Sequence, residues 1–579
     1  MKNCGGTIGA AMKTMVIAHP HLRAVLVALV AASLSCPSDA FAQASQTADP
    51  SRVEDQIRDR DLLRGRIEAD APAPEVDRAA RLDAQDQRFV LSAVTIEGAT
   101  VVSGEDIAGT YADKLATEIG PAELEEIAAA ITAIYRDRGY ALSRAVVPRQ
   151  DVSLGLIRIQ IIEGYVAHVS TSGTVPEYAI RGYAQRLKAE RPLTLSTLER
   201  NMLLINDFPG AALKDATLNE DPQMPGAFEL ALDITFDALG GTLYTDNRGS
   251  AEVGPIQVGG SVELRNALGF GDAISLTSFT VPHDPEELQL IRVAYATPLG
   301  SSGLQASLSA SGSWIDAGGT LDSIDDESNS RTVSAQISYP ILRRRDQSLW
   351  VSGTFDMRDA EEKAIFGTAF DETVVVLRGS ISGMTVDPIG GRTYATVRVS
   401  KGVRMLGAAK KGDALLSRFD ADPQAATVMV DISRYQQIIG DTLSATLSGR
   451  AQRASAPLVS SEEFTLGGAR FGRGYEYGEL TGDDGIAGSA ELTLAPDFGI
   501  EGLLSKPQFY VFYDTGAVWN RNIAFGDSRQ SLSSAGFGLR ALVADTVNGG
   551  IELAKPLDRD TGRTDSQEWQ GLFFLATSF

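Results

Sequence analysis

From Gly241 to Phe579 the chain is a long series of short segments in which apolar and polar residues alternate, broken by turn sequences. Alternation with period two sends successive side chains to opposite faces of a strand. Strands beginning near residues 241, 255, 272, 289, 303, 330, 347, 372, 392, 424, 442, 486, 506, 532, 547 and 570 fit the pattern, sixteen in all. An even number of strands is what bacterial barrels have, and a sheet in lipid must close on itself because there every backbone N–H and C=O must find its partner inside the protein. The connections agree with the count. Those falling on one side are mostly short (Asn266 to Gly271, Pro298 to Ser302, Leu342 to Asp346, Asp387 to Gly391), while those on the other include the longest, Ile315 to Ser330, Arg404 to Pro423 and Gln452 to Gly485. A slip of one strand would exchange the two sets.

The chain has 579 residues, too many for one ordinary domain, and no run of eighteen apolar residues lies beyond its N-terminal segment, so it is not a helical membrane protein. Residues 1–42 read as a secretory leader: Lys2, Lys13 and Arg23, an apolar stretch from Ala24 to Leu34, then Ala40-Phe41-Ala42 before Gln43. Ser33 stands three before Cys36, where a lipoprotein signal has Leu, and the Ala-x-Ala site lies just beyond. Both cysteines, Cys4 and Cys36, fall inside the leader, and only His168 and His283 remain of the histidines. The mature chain therefore lacks a thiol for a disulfide, a zinc site or nucleophilic catalysis, and neither histidine stands beside a nucleophile or ligand pattern. No cofactor, metal site or enzymatic activity is expected, although carboxylate-only enzymes are untouched by this count. Removing the leader, with three basic residues and Asp39, takes the net charge from -23 to -25, which disfavours nucleic acid as a partner. Arg343-Arg344-Arg345 reads as one short turn between strands.

Within the long connection 452–485 the stretch Phe464 to Gly478 carries five glycines in fifteen residues and reads as a sharply folded loop, neither strand nor helix. Gly467 and Gly468 open it, and Arg473 sits between Gly472 and Gly474, followed by Tyr475. A planar guanidinium placed there reaches for a carboxylate. Gln508 to Trp519 reads as a strand with Phe509, Val511, Tyr513, Ala517 and Trp519 on one face and Gln508, Tyr510, Phe512, Asp514 and Gly516 on the other. An ionised Asp among lipid tails is costly, so Asp514 belongs in the lumen. Arg473 is its candidate counter-ion.

The pattern Leu466-Gly467-Gly468, Arg473-Gly474-Tyr475 and Phe512-Tyr513-Asp514-Thr515-Gly516 resembles the superfamily of POTRA-bearing outer-membrane barrels, and within it the two-partner secretion transporters, the TpsB proteins. The resemblance implies that the sixth outer loop folds back into the barrel, its RGY tip held by the inner-wall Asp, with Phe512 and Gly516 as supporting positions. Asp246-Asn247-Arg248-Gly249-Ser250 and Asn266 to Asp272 resemble the start of the TpsB barrel, and the terminal Phe579 resembles the signal read by the barrel-insertion machinery.

Ahead of the barrel (238–579), residues 89–164 read as a small α+β module: a strand from Phe89, a helix from Pro121 to Arg138, and strands over Ala141 to Val147 and Leu156 to Ile162. Its Gly139, Tyr140, Ser143, Arg144, Pro148 and Gln150 are similar to the first POTRA domain of TpsB transporters, and residues 165–237 look like a second, with a helix from about Ser196 and a final strand Phe228 to Phe236. The two modules are either folded spacers or, in the preferred reading, present a strand edge or adjacent groove that accepts an unfolded client by β-augmentation. Residues 43–88 hold a polar helix starting near Ser51 and then a Pro/Ala-rich linker from Ala69 to about Gln87; the resemblance implies a helix that plugs the barrel.

The expected fold is thus a 16-stranded antiparallel transmembrane β-barrel preceded by two POTRA domains and an N-terminal helix. The resemblance implies an outer-membrane pore that recognises an unfolded exported partner, a TpsA-like adhesin or haemolysin, in the periplasm and secretes it. The alternatives are an assembly factor of the same superfamily, which usually carries more POTRA domains, and a passive porin, which needs none.

Overall fold

The computed structural model describes residues 49, 52, 54, 56, 75–77 and 88–579, apart from 174–176, 501–503, 522–527, 545 and 562–565. The expected leader and most of the helix-and-linker segment lie outside the described residues.

A strand β1 (Glu75–Asp77) precedes the first module, which comprises β2 (Phe89–Val90), β3 (Ala93–Glu97), helix α1 (Gly104–Ala108), β4 (Glu118–Ile119), α2 (Pro121–Asp137), β5 (Arg144–Val146) and β6 (Leu156–Ile162). Helix α2 starts where Pro121 supplies a preset φ and the Glu123 carboxylate accepts the Gly120 N–H at 2.9 Å. Its apolar stripe of Leu124, Ile127, Ile131 and Tyr135 is buried against Ile157, Ile159 and Ile161, the inward set of β6. The expected strand over Ala141 to Val147 is confined to β5, because the chain first turns past Gly139 at φ +88°.

The second module repeats the plan with β7 (Tyr165–Gly173), α3 (Glu177–Ala189), α4 (Leu195–Asn206), β8 (Ala211–Glu220) and β9 (Ala227–Phe236). Thr194 caps α4 through its Oγ1. The sheet order is β1-β8-β9-β7, so three residues of the expected linker form a parallel strand on the β8 edge, Val76 opposite Leu218.

The barrel strands are β10 (Leu239–Asp246), β11 (Gln257–Arg265), β12 (Ala273–Thr280), β13 (Gln289–Pro298), β14 (Gln305–Asp316), β15 (Glu327–Arg343), β16 (Gln347–Ala364), β17 (Gly367–Val386), β18 (Gly391–Gly402), β19 (Ala426–Ile439) and β20 (Leu443–Ala454). After a hairpin inside the sixth outer loop, β21 (Phe464–Leu466) and β22 (Leu480–Gly482), follow β23 (Asp484–Leu494), β24 (Leu504–Trp519), β25 (Arg529–Val543), β26 (Val547–Pro556) and β27 (Gln570–Ser578). The sixteen wall strands close antiparallel, β27 pairing with β10. The glycine-rich segment is therefore not wholly without strand. Its first three residues pair with β22, Phe464 opposite Gly482.

Long and short connections fall on the expected sides, apart from a longer inner connection over 495–503 and one short outer connection. The β16–β17 connection is only Ile365 and Phe366, because these strands of 18 and 20 residues carry the hairpin outward themselves. At the periplasmic rim the arginine triplet does more than turn. Arg343 makes two bonds to Asp207 at the end of α4 (2.6 and 2.9 Å), and Arg345 lies 3.6 Å from Glu199. Arg200 donates to the Pro340 carbonyl at 2.7 Å. The second module is thus fastened to the β15–β16 turn by charge-assisted bonds.

Candidate functional site: a loop and a helix held inside the barrel

Strand β24 puts Phe509, Val511 and Tyr513 outward, all more than 40% exposed on the lipid face, and Tyr510, Phe512 and Asp514 inward. Asp514 is fully buried, and its carboxylate meets Arg473. Arg473 Nε and Nη2 donate to Asp514 Oδ2 and Oδ1, each at 3.0 Å, and the Arg473 backbone N–H adds a third bond at 3.0 Å. The Gly472 N–H (3.3 Å) and the Ser489 hydroxyl (2.7 Å) supply further donors. A carboxylate so supplied is matched on both oxygens, which is what permits a full charge at zero exposure. Phe512, two residues before Asp514, lies under the guanidinium at 3.5 Å from its ring centroid.

Sequence reasoning brought Arg473 and Asp514 together and missed the other half of the cluster. Arg473 Nη1 also donates to Glu491 of β23 at 2.7 Å and stands 3.8 Å from Glu552 of β26. Glu491 binds Arg540 (2.9 Å), and Glu552 binds Arg248 (3.0 Å) and the Tyr510 hydroxyl (2.9 Å). Three carboxylates thus face three guanidinium groups across four wall strands, the loop tip and the β10–β11 connection that carries Arg248. Each acid had a signal in the sequence, a charge on the inward set of its strand, but nothing there distinguished it from other lumen polar residues.

Two glycines make the tip possible. A Cβ on Gly474 would come 2.9 Å from Pro556 N and 3.0 Å from Lys555 C, both backbone of β26, so the tip lies flat on the wall. Gly516 leaves room for Leu466, whose methyl carbons would otherwise be 2.6 and 2.9 Å from a new Cβ. Gly467 (φ +102°) and Gly468 (φ +78°) turn the loop between them, the Gly467 N–H bonding Phe471 O at 2.8 Å and the Gly468 N–H bonding Tyr475 O at 3.0 Å. Tyr475 is buried, and its hydroxyl lies 3.4 Å from the backbone of Asp558 and Arg559 in the last outer connection. Phe464, Leu466, Phe471, Tyr475 and Leu480 of the loop pack with Ala487, Val518 and Leu532 of the wall.

The same loop is tied to the opposite wall. Arg470 binds Asp431 of β19. At the loop base Glu462 takes two bonds from Arg378 of β17, which also binds Asp356 at 2.7 Å. Glu463 takes Arg418 at 2.7 Å and Arg52 at 3.0 Å. Arg52 belongs to the N-terminal segment, whose described residues Arg52, Glu54 and Gln56 are helical and buried inside the barrel. Glu54 accepts Ser311 (2.8 Å) and Thr332 (3.1 Å) and lies 3.4 Å from Arg358, spanning β14 to β16. Gln56 donates to the Arg248 carbonyl at 3.2 Å. The helix is held in the lumen by polar contacts that water can replace, and the loop by such contacts together with its apolar cluster on the wall.

Two residues of the first-module motif, Gly139 and Arg144, join the domains. The Gly139 carbonyl accepts the Leu195 N–H at the start of α4 (2.8 Å), and Arg144 pairs with Glu220 at 2.8 Å, both across the module boundary. The Tyr140 ring meets Tyr135 edge-on at 6.1 Å, and the Ser143 hydroxyl accepts the Gly164 N–H at 3.1 Å. Gln150 clamps the backbone of Arg158 in both directions (2.7 and 2.8 Å) and donates to the Pro148 carbonyl at 3.3 Å. Phe579 sits at the rim with its ring over Gly241, where a Cβ would come 2.3 Å from it.

A closed sixteen-stranded wall, two α+β modules at its inner rim and an outer loop folded into the lumen define the class of outer-membrane transporters with periplasmic POTRA arms. The chain belongs to the haemolysin secretion/activation protein family ShlB/FhaC/HecB, whose profile matches residues 236–541, and a ShlB-type POTRA domain matches residues 89–164. The chain is 22% identical over 487 residues to the heme/hemopexin transporter protein HuxB of Haemophilus influenzae, covering 80% of this chain and 83% of the relative. It is 22% identical over 496 residues to the outer membrane transporter CdiB of Escherichia coli, covering 80% of this chain and 78% of the relative. Among solved structures, CdiB from Escherichia coli has the same fold, with a TM-score of 0.70, 18% identity, and coverage of 93% of this chain and 98% of that one. CdiB from Acinetobacter baumannii aligns with a TM-score of 0.64, 16% identity, and coverage of 94% and 100%. The barrel resides in the bacterial outer membrane and the POTRA domains in the periplasm.

Proposed function

We propose that this chain is the pore of a two-partner secretion pair: it takes an unfolded exported protein at its POTRA domains and passes it outward through the barrel, without catalysing a covalent reaction. The observation that carries the reading is the lumen, occupied by a helix tethered by hydrogen bonds and ion pairs and by a loop whose tip is tethered in the same way beside one apolar cluster on the wall. Such contents can leave and return, since water solvates each partner as it is released. Relatives named as a heme/hemopexin transporter and as CdiB transporters support the same class. In this reading Arg473, Gly474, Tyr475 and Asp514 form the lock that holds the loop inward, and Arg52, Glu54 and Gln56 belong to a plug at rest.

The partner is a β-rich exoprotein whose extended segment adds to a POTRA sheet edge, since main-chain hydrogen bonds tolerate varied sequences. Expression with and without this chain, alongside an exported β-rich protein encoded beside it, tests the reading. Export to the medium that depends on this chain is the expected result. Loss of other outer-membrane barrels on its depletion, with export unaffected, would assign it to barrel assembly instead.

A further inference from the structure

The inner face of the wall is chemically divided. On β10–β12 and β24–β27 it sets aromatic rings against glycines of the neighbouring strand. Phe279 and Tyr244 lie over Gly259, Phe512 over Gly536, Tyr510 over Gly538 and Phe574 over Gly550, so closely that a Cβ on any of these glycines would strike the ring. The rings are thereby spent on the wall itself. The arc from β16 to β20 is built from hydroxyls instead. Its outward residues are apolar, Ile381, Val397, Ile432 and Leu447 being exposed on the lipid face. The alternate, inward positions carry Ser and Thr bonded in pairs between neighbouring strands: Ser352 with Ser380 at 2.6 Å, Ser382 with Thr396 at 3.0 Å and Ser433 with Ser448 at 3.2 Å. Gln336 of β15 extends the row by donating to Thr354 at 3.2 Å. One further pair, Thr242 with Ser261 at 2.8 Å, lies on the opposite arc.

The hydroxyls keep a regular height in the wall. On β17 to β20 the inward residue next to a charge, on its periplasmic side, is a hydroxyl: Ser380 after Arg378, Thr396 before Arg398, Ser433 after Asp431 and Ser448 before Arg450. Two of these charges tether the sixth loop, Arg378 through Glu462 and Asp431 through Arg470. A neutral girdle therefore lies between the periplasmic rim and the charged level at which the lumen contents are held. It begins where the second POTRA domain is fastened, since Arg343, which binds Asp207, ends β15, and Ser352 and Thr354 follow on β16.

Two properties suit the girdle to an extended chain. Either hydroxyl of a pair can donate, so a pair can part and bond a passing N–H or C=O without leaving a charge behind. An extended backbone offers one such donor and acceptor at nearly every residue whatever its sequence, and a path must hold it weakly at many places if it is to move on. Carboxylates and guanidinium groups would hold it about twice as strongly. We infer that the Ser/Thr girdle of β16–β20 is the first lumen surface met by the extended partner, a slide that takes over main-chain hydrogen bonds from water, and that the ring-and-glycine arc is not part of the path. The inference rests on the secretion reading and names the surface that reading requires.

The test uses the full chain in cells that export the partner. Ser380→Ala, Ser382→Ala and Ser433→Ala combined remove one hydroxyl from each pair and add neither charge nor bulk. Export should slow about fivefold, the factor that corresponds to roughly 1 kcal/mol for one neutral hydrogen bond, with barrel yield and resting conductance unchanged. Threonine at the same three positions keeps the hydroxyls and should restore the rate. A second arm uses the absence of cysteine beyond residue 42. Single cysteines at Ser380, Ser433 and Ala576 are offered to a partner that carries cysteines and is stalled in transit by a folded fusion. Ala576 stands opposite Tyr244 on β27, in the ring-and-glycine arc. Disulfide capture at 380 and 433 and none at 576 is the expected result, and it decides the matter alone if the alanine variant fails to assemble. Export at the parent's rate in the alanine variant, or equal capture at all three positions, would overturn the girdle while leaving secretion intact. A parent chain that exports no partner would remove the secretion reading and the slide with it.

Discussion

Replacing Arg473 by Ala removes a loop residue that bonds both Asp514 and Glu491. Asp514 retains two backbone N–H donors and the hydroxyls of Ser489 and Ser534, so it is not stripped of partners. The charge balance is what fails. Asp514, Glu491 and Glu552 would share Arg540 and Arg248, two cations for three anions, with Asp514 at zero exposure. Breaking one side of a fully buried pair costs about 3–5 kcal/mol, and a wet lumen reduces this toward about 2 kcal/mol, the range of a charge-assisted bond. At the rule of tenfold per 1.4 kcal/mol, the docked loop loses a factor of about 30 to 4,000 against the released loop. The wall strands keep their ladders, so the barrel should remain in the membrane with its heat-modifiable mobility, while the loop becomes open to protease and export largely stops. Arg473→Lys keeps the charge without the planar fork and should recover only part of the loss. A protease-resistant loop and normal export in Arg473→Ala would refute the reasoning.

Glu54→Ala deletes the acceptor shared by Ser311 and Thr332 and the partner of Arg358, and should raise resting conductance several-fold without altering barrel yield. Arg343→Ala leaves Asp207 without its bidentate partner, which should loosen the second POTRA domain by about 1–3 kcal/mol, read as a broadened distance distribution between spin labels on that domain and the barrel. Arg144→Ala, which unpairs Glu220, should broaden the distances between the two POTRA domains and leave those between the second domain and the barrel unchanged. In the outer connection between β14 and β15, burial and nearby Asp316 push the Asp326 carboxyl up to about 6 from 3.8. The folded loop then holds its proton more tightly than the unfolded chain does, so stability falls as pH rises from about 4 to about 6. Asp326→Asn should abolish that dependence and stabilise the loop at pH 7, as measured by its protease susceptibility across pH.

The barrel was legible because lipid leaves no choice: alternation fixes the faces and unequal connections fix the sides. Arg473 and Asp514 were legible for the same reason, since a charge on an inward strand position demands an opposite charge within reach. Glu491, Glu552 and Arg540 were not, because one acid or base on a lumen face suits water as well as a partner, and only the loop's descent desolvates them. The arginine triplet was undervalued as a turn because its acceptor, Asp207, lies 136 residues earlier. The strand Glu75–Asp77 was hidden in linker composition, since pairing on the β8 edge needs only backbone groups. Asn247 was singled out within a turn sequence, while its bonds to Gly571 and Phe573 depend on the closure of the whole wall.

A photo-crosslinker carried in turn at Met429 and Val430 during export locates the path of the partner. These neighbours on β19 face opposite ways, Met429 lining the lumen cavity and Val430 being 42% exposed on the lipid face. Passage through the barrel predicts crosslinks from residue 429 to the exoprotein in transit and none from residue 430. Equal capture at both positions, or none at 429 while export proceeds, would contradict it.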